Sequence, residues 1–327
     1  MAGSEDSKGG RRSPRPLRLW HEADWAWRQS GPTRRAVRAF GVRADELRRM
    51  PAGVHTWTDG RLFLKPVGCI PEHAWVCGVY ANWSATHVRV PEPVMPHGPG
   101  ETGWSSDCWG AQLLIRGRDT EPGELEKIKE ASDAFHACIR DLPRPGFMDD
   151  RDDPFAFGDR LAWEGIEPEG DEETLAVIER LRKHLAPVSE RPQVIHGDIL
   201  GNVMLTDGHV PAVIDWPPYF RPAGMANAIA ATDAVTFRAA PLSLLDEWST
   251  GEDWNQLLVR ALLYRLGPTG IFAIRNRLMG ILVTHVNAWR PSLTPSSPAR
   301  GVLDQALAYP RVPPPASRTQ SSPLGAH

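Results

Sequence analysis

One stretch constrains this chain more than any other: Val194 to Trp216, reading V-I-H-G-D-I-L-G-N-V-M-L-T-D-G-H-V-P-A-V-I-D-W. Two β-branched residues run into His196-Gly197-Asp198, and Asn202 follows Gly201 on a tight loop. The apolar run Val203 to Leu205, the turn Thr206-Asp207-Gly208-His209 and the run Val210 to Ile214 predict a hairpin, since Asp-Gly between two apolar runs is a strong turn signal. A hairpin of this length returns its ends to one place. Asn202 at the entrance and Asp215 at the exit are therefore expected as neighbours, with Asp198 on the same rim.

Two acids and an amide at one edge suit a hard, oxygen-seeking cation such as magnesium, which takes few protein ligands and keeps positions for substrate phosphates. The remaining carboxylate can orient a hydroxyl and accept its proton, the division of labour of phosphoryl transfer. The bland alternative is a buried hairpin with polar ends, because turn acids and amides are common for local reasons. His-Gly-Asp, a loop Asn, a hairpin and Ile-Asp-Trp together resemble the catalytic and metal-binding segments of the aminoglycoside phosphotransferase family, relatives of the protein kinases. One departure stands out. The family usually places Asn five residues after the loop Asp, whereas Asn202 is four after Asp198, a shortened form similar to an unassigned bacterial branch of that superfamily. The resemblance implies a two-lobed, kinase-like α+β fold. It also implies ATP and Mg2+, with Asp198 as catalytic base and Asn202 and Asp215 on the metal. His196 organises the loop and carries no chemistry.

Upstream, Pro51 to Trp57, the turn Thr58-Asp59-Gly60 and Arg61 to Val67 read as strand, turn and strand. The resemblance places a reduced glycine loop at Gly53 and the phosphate-reaching lysine at Lys65. Only five of the 37 basic residues are lysines, and Lys65 alone ends an apolar strand. A compact ammonium fits a narrow phosphate site where a planar guanidinium does not; the alternative is a solvated strand-end lysine. Glu72, behind Pro71, is the candidate partner of that lysine on an abbreviated helix, and it is equally ordinary N-terminal helix chemistry. Cys108 to Gly117 resembles the strand and hinge that hold adenine, which puts backbone groups around Gln112 to Ile115, with Gln112 and Leu113 among them, against the base; the apolar run is equally a core strand. Helices are expected at Thr33 to Phe40 and around Ala44 to Met50.

Helical spacing of apolar residues predicts helices over Glu121 to Leu142 and Asp171 to Leu185. Phe155 to Trp163 reads as a packed connection, and the acidic loop Asp149 to Asp153 as solvated. Pro217 to Pro222 replaces a long activation segment with a stiff turn, which favours a small-molecule hydroxyl acceptor over a protein substrate. Ala226 to Ala240, Asp253 to Leu266 and Gly270 to Trp289 are expected helices. Asp233 is the acid to watch, a helix-surface position being its commoner explanation. The layout divides into a disordered arm (1–16), an N-terminal lobe (17–117), a C-terminal helical lobe (118–290) and a Pro/Ser-rich tail (291–327).

Composition excludes other classes. A net charge of −3 gives no case for nucleic acid or an anionic membrane. No apolar run approaches the ~18–20 residues of a membrane span. Four cysteines without a CxxC spacing read as reduced thiols of a cytoplasmic protein. Two rivals to an ATP-dependent phosphotransferase are a nucleotide-binding regulator of the same fold without turnover, and a metal-dependent hydrolase using His196, Asp198 and Asp215. The hydrolase needs more ligands than the spacing supplies.

Overall fold

Residues 48 to 113 carry short strands that pair into one antiparallel sheet, with a helix set between two of them. The computed structural model describes residues 31–51, 55–168 and 170–267. The strands are β1 (Arg48–Arg49), β2 (Trp57–Thr58), β3 (Leu62–Pro66), β4 (Pro93–Val94), β5 (Ser105–Ser106) and β6 (Trp109–Leu113). Their order is β1-β2-β3-β6-β4, with β5 also paired to β6. Asp59 builds the predicted β2–β3 turn. Its buried carboxylate accepts the N–H groups of Arg61 at 2.9 Å and Leu62 at 2.7 Å, an Asx turn. The alternation of β3 drives Leu62 and Leu64 into a core with Trp109 and Ala111, covered by Ala36 and Phe40 beside the short helix α1 (Arg34–Ala39), which Thr33 caps.

The expected helix around Ala44 to Met50 is absent. Arg48 and Arg49 form an edge strand opposite Thr58 and Trp57, so tertiary pairing overrides a weak local preference. The helix after β3, α2 (Ile70–Ala81), runs 12 residues with Pro71 and Glu72 in its first turn. It is not abbreviated.

The C-terminal part is helical: α3 (Leu125–Ile139), α4 (Pro154–Trp163), α5 (Glu172–Arg182), α6 (Gly224–Phe237), α7 (Leu244–Glu247) and α8 (Trp254–Leu266). α4 corrects the expected packed connection. Asp153 accepts N–H groups from Phe155 and Ala156, and Pro154 sits at the first helical position, a complete start signal inside the acidic loop. α4 and α8 cross closely; a Cβ on Gly267 would lie 2.2 Å from the Gly158 Cα. The expected helix 270–289, the N-terminal arm and the tail lie outside the described residues. Among the described residues no helix is long and apolar enough to cross a membrane.

Two small sheets frame the central segment. The predicted hairpin forms as β9 (Val203–Leu205) and β10 (Ala212–Val213), with Met204 opposite Ala212, and β7 (Arg118–Asp119) joins β9. Strand β8 (Pro192–His196) pairs over its whole length with β11 (Pro218–Pro222), so the residues expected as a stiff turn are a strand. A two-stranded ribbon tolerates prolines because its outer edges need no donors. Arg89 stitches the N-terminal part to the hairpin: its N–H donates to Pro211 O at 2.8 Å, and its C=O accepts from Val213 at 2.9 Å.

Trp216 joins the two parts by packing. Its ring meets Trp75 and Tyr80 of α2 at 5.2 and 5.9 Å, and Phe135 of α3 at 5.1 Å. Its Nε1–H donates to Ile195 O at 2.9 Å. Trp216→Ala is expected to cost about 3–5 kcal/mol of stability, read as a shift of the urea midpoint. A loss below about 1 kcal/mol would show that this aromatic cluster does not join the two parts.

Candidate active site

β8 delivers His196 into complete burial, and the imidazole bonds on both sides. Nδ1 accepts the Asp198 N–H at 3.1 Å, and Nε2 donates to Ile214 O at 3.0 Å. One ring thus clasps the chain beside both acids. The His196 N–H donates to His136 Nε2 at 3.0 Å, and His136 Nδ1 donates to Ser132 O at 2.6 Å. These partners assign one neutral tautomer to each ring. Burial pushes His136 down to about 4 and lowers His196 as well. Gly197 is required by close approach, since a Cβ there would lie 2.4 Å from the Tyr219 ring.

The hairpin brings its ends together as expected. The Ile214 N–H donates to Asn202 O at 2.9 Å. The Asn202 Nδ2 donates to Asp198 O at 2.6 Å and lies 3.4 Å from Asp198 Oδ2. Using the nitrogen this way leaves Oδ1 as the acceptor still available. Asp215 sits in the left-handed region at φ 48°, a conformation that aspartate tolerates better than most residues and that recurs at functional sites. Its Oδ1 lies 2.5 Å from Lys65 Nζ. The Lys65 ammonium holds the Asp215 carboxyl below its usual range. Burial works against the ammonium, but Asp215, with help from Glu72, raises its pKa on balance.

Glu72 takes a different partner from the one expected. Its Oε2 lies 3.4 Å from Arg151 NH1, while Lys65 pairs with Asp215. A glutamate in the first turn of α2 faces the loop that carries Arg151, and burial raises its pKa. Arg151 is anchored by Asp153 at 2.8 Å, Pro218 O at 3.1 Å and Tyr219 Oη at 3.1 Å. Gln112 and Leu113 lie inside β6 with their backbone engaged. Gln112 sits between Phe63 and Pro93, and the Leu113 N–H donates to Glu92 O at 2.8 Å. Gly53 lies outside the described residues.

Sequence reasoning missed the residues that close the site from α8. Arg265 NH2 donates to Asp198 Oδ1 at 2.6 Å, and its Nε donates to Asp233 Oδ1 at 2.9 Å. Asp233 is not on a helix surface. Every residue from Gly224 to Ala234 is buried, and burial pushes Asp233 up to about 6 against the opposing pull of Arg265. A usable signal was present: an acid and an arginine on two otherwise apolar helices must find partners. A cavity of about 210 Å³ unites Lys65, Glu72, Arg151, Asp198, Asp215 and Arg265. Among the described residues no three His, Cys, Asp or Glu side chains cluster as a metal site. Asn202 and Asp215, at the two ends of the hairpin, carry hard oxygen donors of the kind an oxygen-seeking ion takes.

The model of the phosphotransferase enzyme family matches residues 21–220, and the chain belongs to that family. Comparison with curated protein sequences finds no match. Among solved structures, the chain is similar to a thermostable mutant of aminoglycoside phosphotransferase APH(4)-Ia in ternary complex with ADP and hygromycin B. The TM-score is 0.52 and the identity 17%, over 78% of this chain and 98% of that one. An amicoumacin kinase in complex with AMP-PNP and Ca2+ aligns at TM-score 0.46 and 13% identity, over 83% of this chain and 89% of that one. A choline kinase from Cryptosporidium parvum aligns at 0.47 and 10%, over 80% and 91%.

The buried histidines set an acid limit on stability. His73 is also lowered to about 4 by burial. Each ring is neutral when folded but takes up a proton on unfolding below its ordinary value of about 6.5. Stability therefore falls as pH drops from about 6.5 towards 4. Asp233 acts with the opposite sign, its contribution being lost as pH rises through about 6, and Glu72 and Glu190, also raised by burial, act with it, but above pH 5 the rings, with ordinary values near 6.5, carry most of the change. Urea midpoints at pH 7.5, 6.5 and 5 should fall across the last interval, and His136→Gln should flatten part of that fall. A flat profile would contradict neutral buried rings.

Proposed function

We propose that the protein is an ATP-dependent phosphotransferase that moves the γ-phosphoryl group to a hydroxyl of a small molecule. One observation carries the reading: a single buried imidazole holds the chain at both Asp198 and Ile214, next to Asp215, while Asn202 bonds Asp198 and Lys65 pairs with Asp215. In this reading Asp198 orients the acceptor hydroxyl and takes its proton as the new P–O bond forms and the bond to ADP breaks. Asn202 Oδ1 and the Asp215 carboxylate would hold Mg2+, which neutralises phosphate charge when bound. Lys65 would exchange Asp215 for phosphate oxygens. Most of the rate then comes from positioning and electrostatics.

The nucleotide would lie between the sheet of the N-terminal part and the helical C-terminal part. The base contact moves downstream from Gln112 and Leu113, whose backbone is spent in the sheet. The N–H groups of Ile115, Arg116 and Gly117 have no hydrogen-bond partner among the described residues. An ATP-using enzyme with four unpaired thiols suits the reducing cytoplasm.

The charges at the cavity narrow the acceptor. Asp215 is paired with Lys65, Asp198 with Arg265 and Glu72 with Arg151. The three cations and three carboxylates balance, so among the described residues the cavity offers no excess negative charge to a polycation. Tyr219, Tyr264 and Trp216 also line the cavity, and with its charges balanced an uncharged hydroxyl compound fits better than a polycation.

Thermal-shift titration tests the nucleotide site. ATP at about 100 times its Kd should stabilise the protein by about 2.7 kcal/mol, more with magnesium than without, and Asp215→Ala should remove the magnesium-dependent part. Asp198→Asn should keep that stabilisation while lowering kcat about 10²–10⁴-fold. No shift at saturating nucleotide would sink the proposal. Glucose and glucosamine, differing by one ammonium, test the acceptor; faster transfer to the amine would overturn the uncharged class.

A further inference from the structure

We propose that Arg265 is a positioning residue for Asp198, anchored by Asp233, and that it selects Oδ2 of Asp198 as the oxygen that receives the acceptor proton. The inference rests on the phosphotransferase reading above. Arg265 stands on the last turn of α8, next to Tyr264, whose hydroxyl donates to Gly197 O at 3.3 Å and accepts from the Tyr219 hydroxyl at 3.2 Å. This turn of α8 therefore docks on the His-Gly-Asp loop at two consecutive residues. Asp233 grips the guanidinium edge-on through Nε and NH2. NH2 extends beyond that pair to Asp198 Oδ1 at 2.6 Å. Oδ1 is thereby occupied, whereas among the described residues Oδ2 has only the Asn202 amide at 3.4 Å.

A purely structural tie between α6 and α8 needs Asp233 alone. The Asp233 side chain is 5% exposed and that of Arg265 10%, but that of Asp198 is 46% exposed. A bond to so exposed a carboxylate adds little to folding. What it adds is orientation. A planar fork held on one edge by a buried carboxylate presents its other N–H in a fixed direction, and the second carboxylate turns with it. During transfer the hydroxyl proton passes to Oδ2, the acceptor oxygen bonds the γ-phosphorus, and the bridging oxygen leaves with ADP.

Arg265→Gln alone leaves Asp233 buried and unpaired, so the decisive variant is the double substitution Arg265→Gln with Asp233→Asn, which buries no lone charge. Wild type, this double variant, Asp233→Asn and Arg265→Lys are compared for MgATP-dependent thermal shift, kcat and both KM values. The double variant is expected to fold and to keep its MgATP shift, with KM for ATP unchanged within about threefold and kcat down about a hundredfold, the scale of a misplaced reacting group. Arg265→Lys, which keeps a charge without the fork, and Asp233→Asn, which keeps the fork without its anchor, fall between. A double variant with kcat within about threefold of wild type overturns the inference, as does one that is faster, since Arg265 would then be a block. A loss confined to KM for ATP overturns it too. A wild type that binds MgATP but transfers no phosphoryl group, to acceptor or to water, overturns the phosphotransferase reading itself, and this inference with it.

Discussion

The site hangs on one neutral imidazole. His196 must accept from the Asp198 N–H and donate to Ile214 C=O at the same time, and only the neutral ring has one acceptor and one donor. A protonated ring would offer two donors and meet the Asp198 N–H with another N–H. Burial is what keeps the proton off, so the core is a condition of the site rather than its container. His136, Ser132 and Asn227 extend the chain of bonds from β8 through α3 to α6. The loop bearing Asp198 is thus registered against two helices before any ligand arrives.

The two parts of the chain meet beside that clasp. Trp216 follows Asp215 directly, and its ring is packed by α2 from one part and α3 from the other. Lys65 crosses from β3 to Asp215. Gly117, on the connection between the parts, lies so close to the hairpin that a Cβ would come within 2.6 Å of Leu205 O. Packing, ion pair and backbone approach therefore converge on the few residues around Asp215. A displacement of α2 against α3 would be felt there first, because close-packed interfaces transmit small shifts rather than absorb them.

What was legible in the sequence was what is local. The hairpin after Asn202 follows from turn chemistry and period, and the meeting of Asn202 with Asp198 and Ile214 follows from the hairpin. The helices α3, α5 and α8 follow from apolar spacing. Partners set by tertiary folding were not legible. Nothing near Glu72 announces Arg151, almost eighty residues on, and nothing near Asp198 announces Arg265. The strand at Pro218–Pro222 was hidden because its prolines read as a turn, although a two-stranded ribbon has room for them. α4 was hidden by its aromatic content, while its start signal, Asp153-Pro154, lay in a loop that looked merely acidic.

Burial sorts the charges of the site into those that can exchange partners and those that cannot. The Lys65–Asp215 pair has side chains 28% and 63% exposed, and an ion pair in that setting is worth little net free energy, so phosphate or metal can replace either partner at small cost. Arg265 and Asp233, at 10% and 5%, sit where removing one partner strands an unpaired charge, at a cost of about 3–5 kcal/mol. In the proposed reaction the first pair is a placeholder and the second a fixture. Asp198, half exposed and bound to the fixture through one oxygen, belongs to both regimes. Its position is held from the buried side while its other oxygen stays open towards the cavity, the arrangement a base needs if it is to receive a proton without moving.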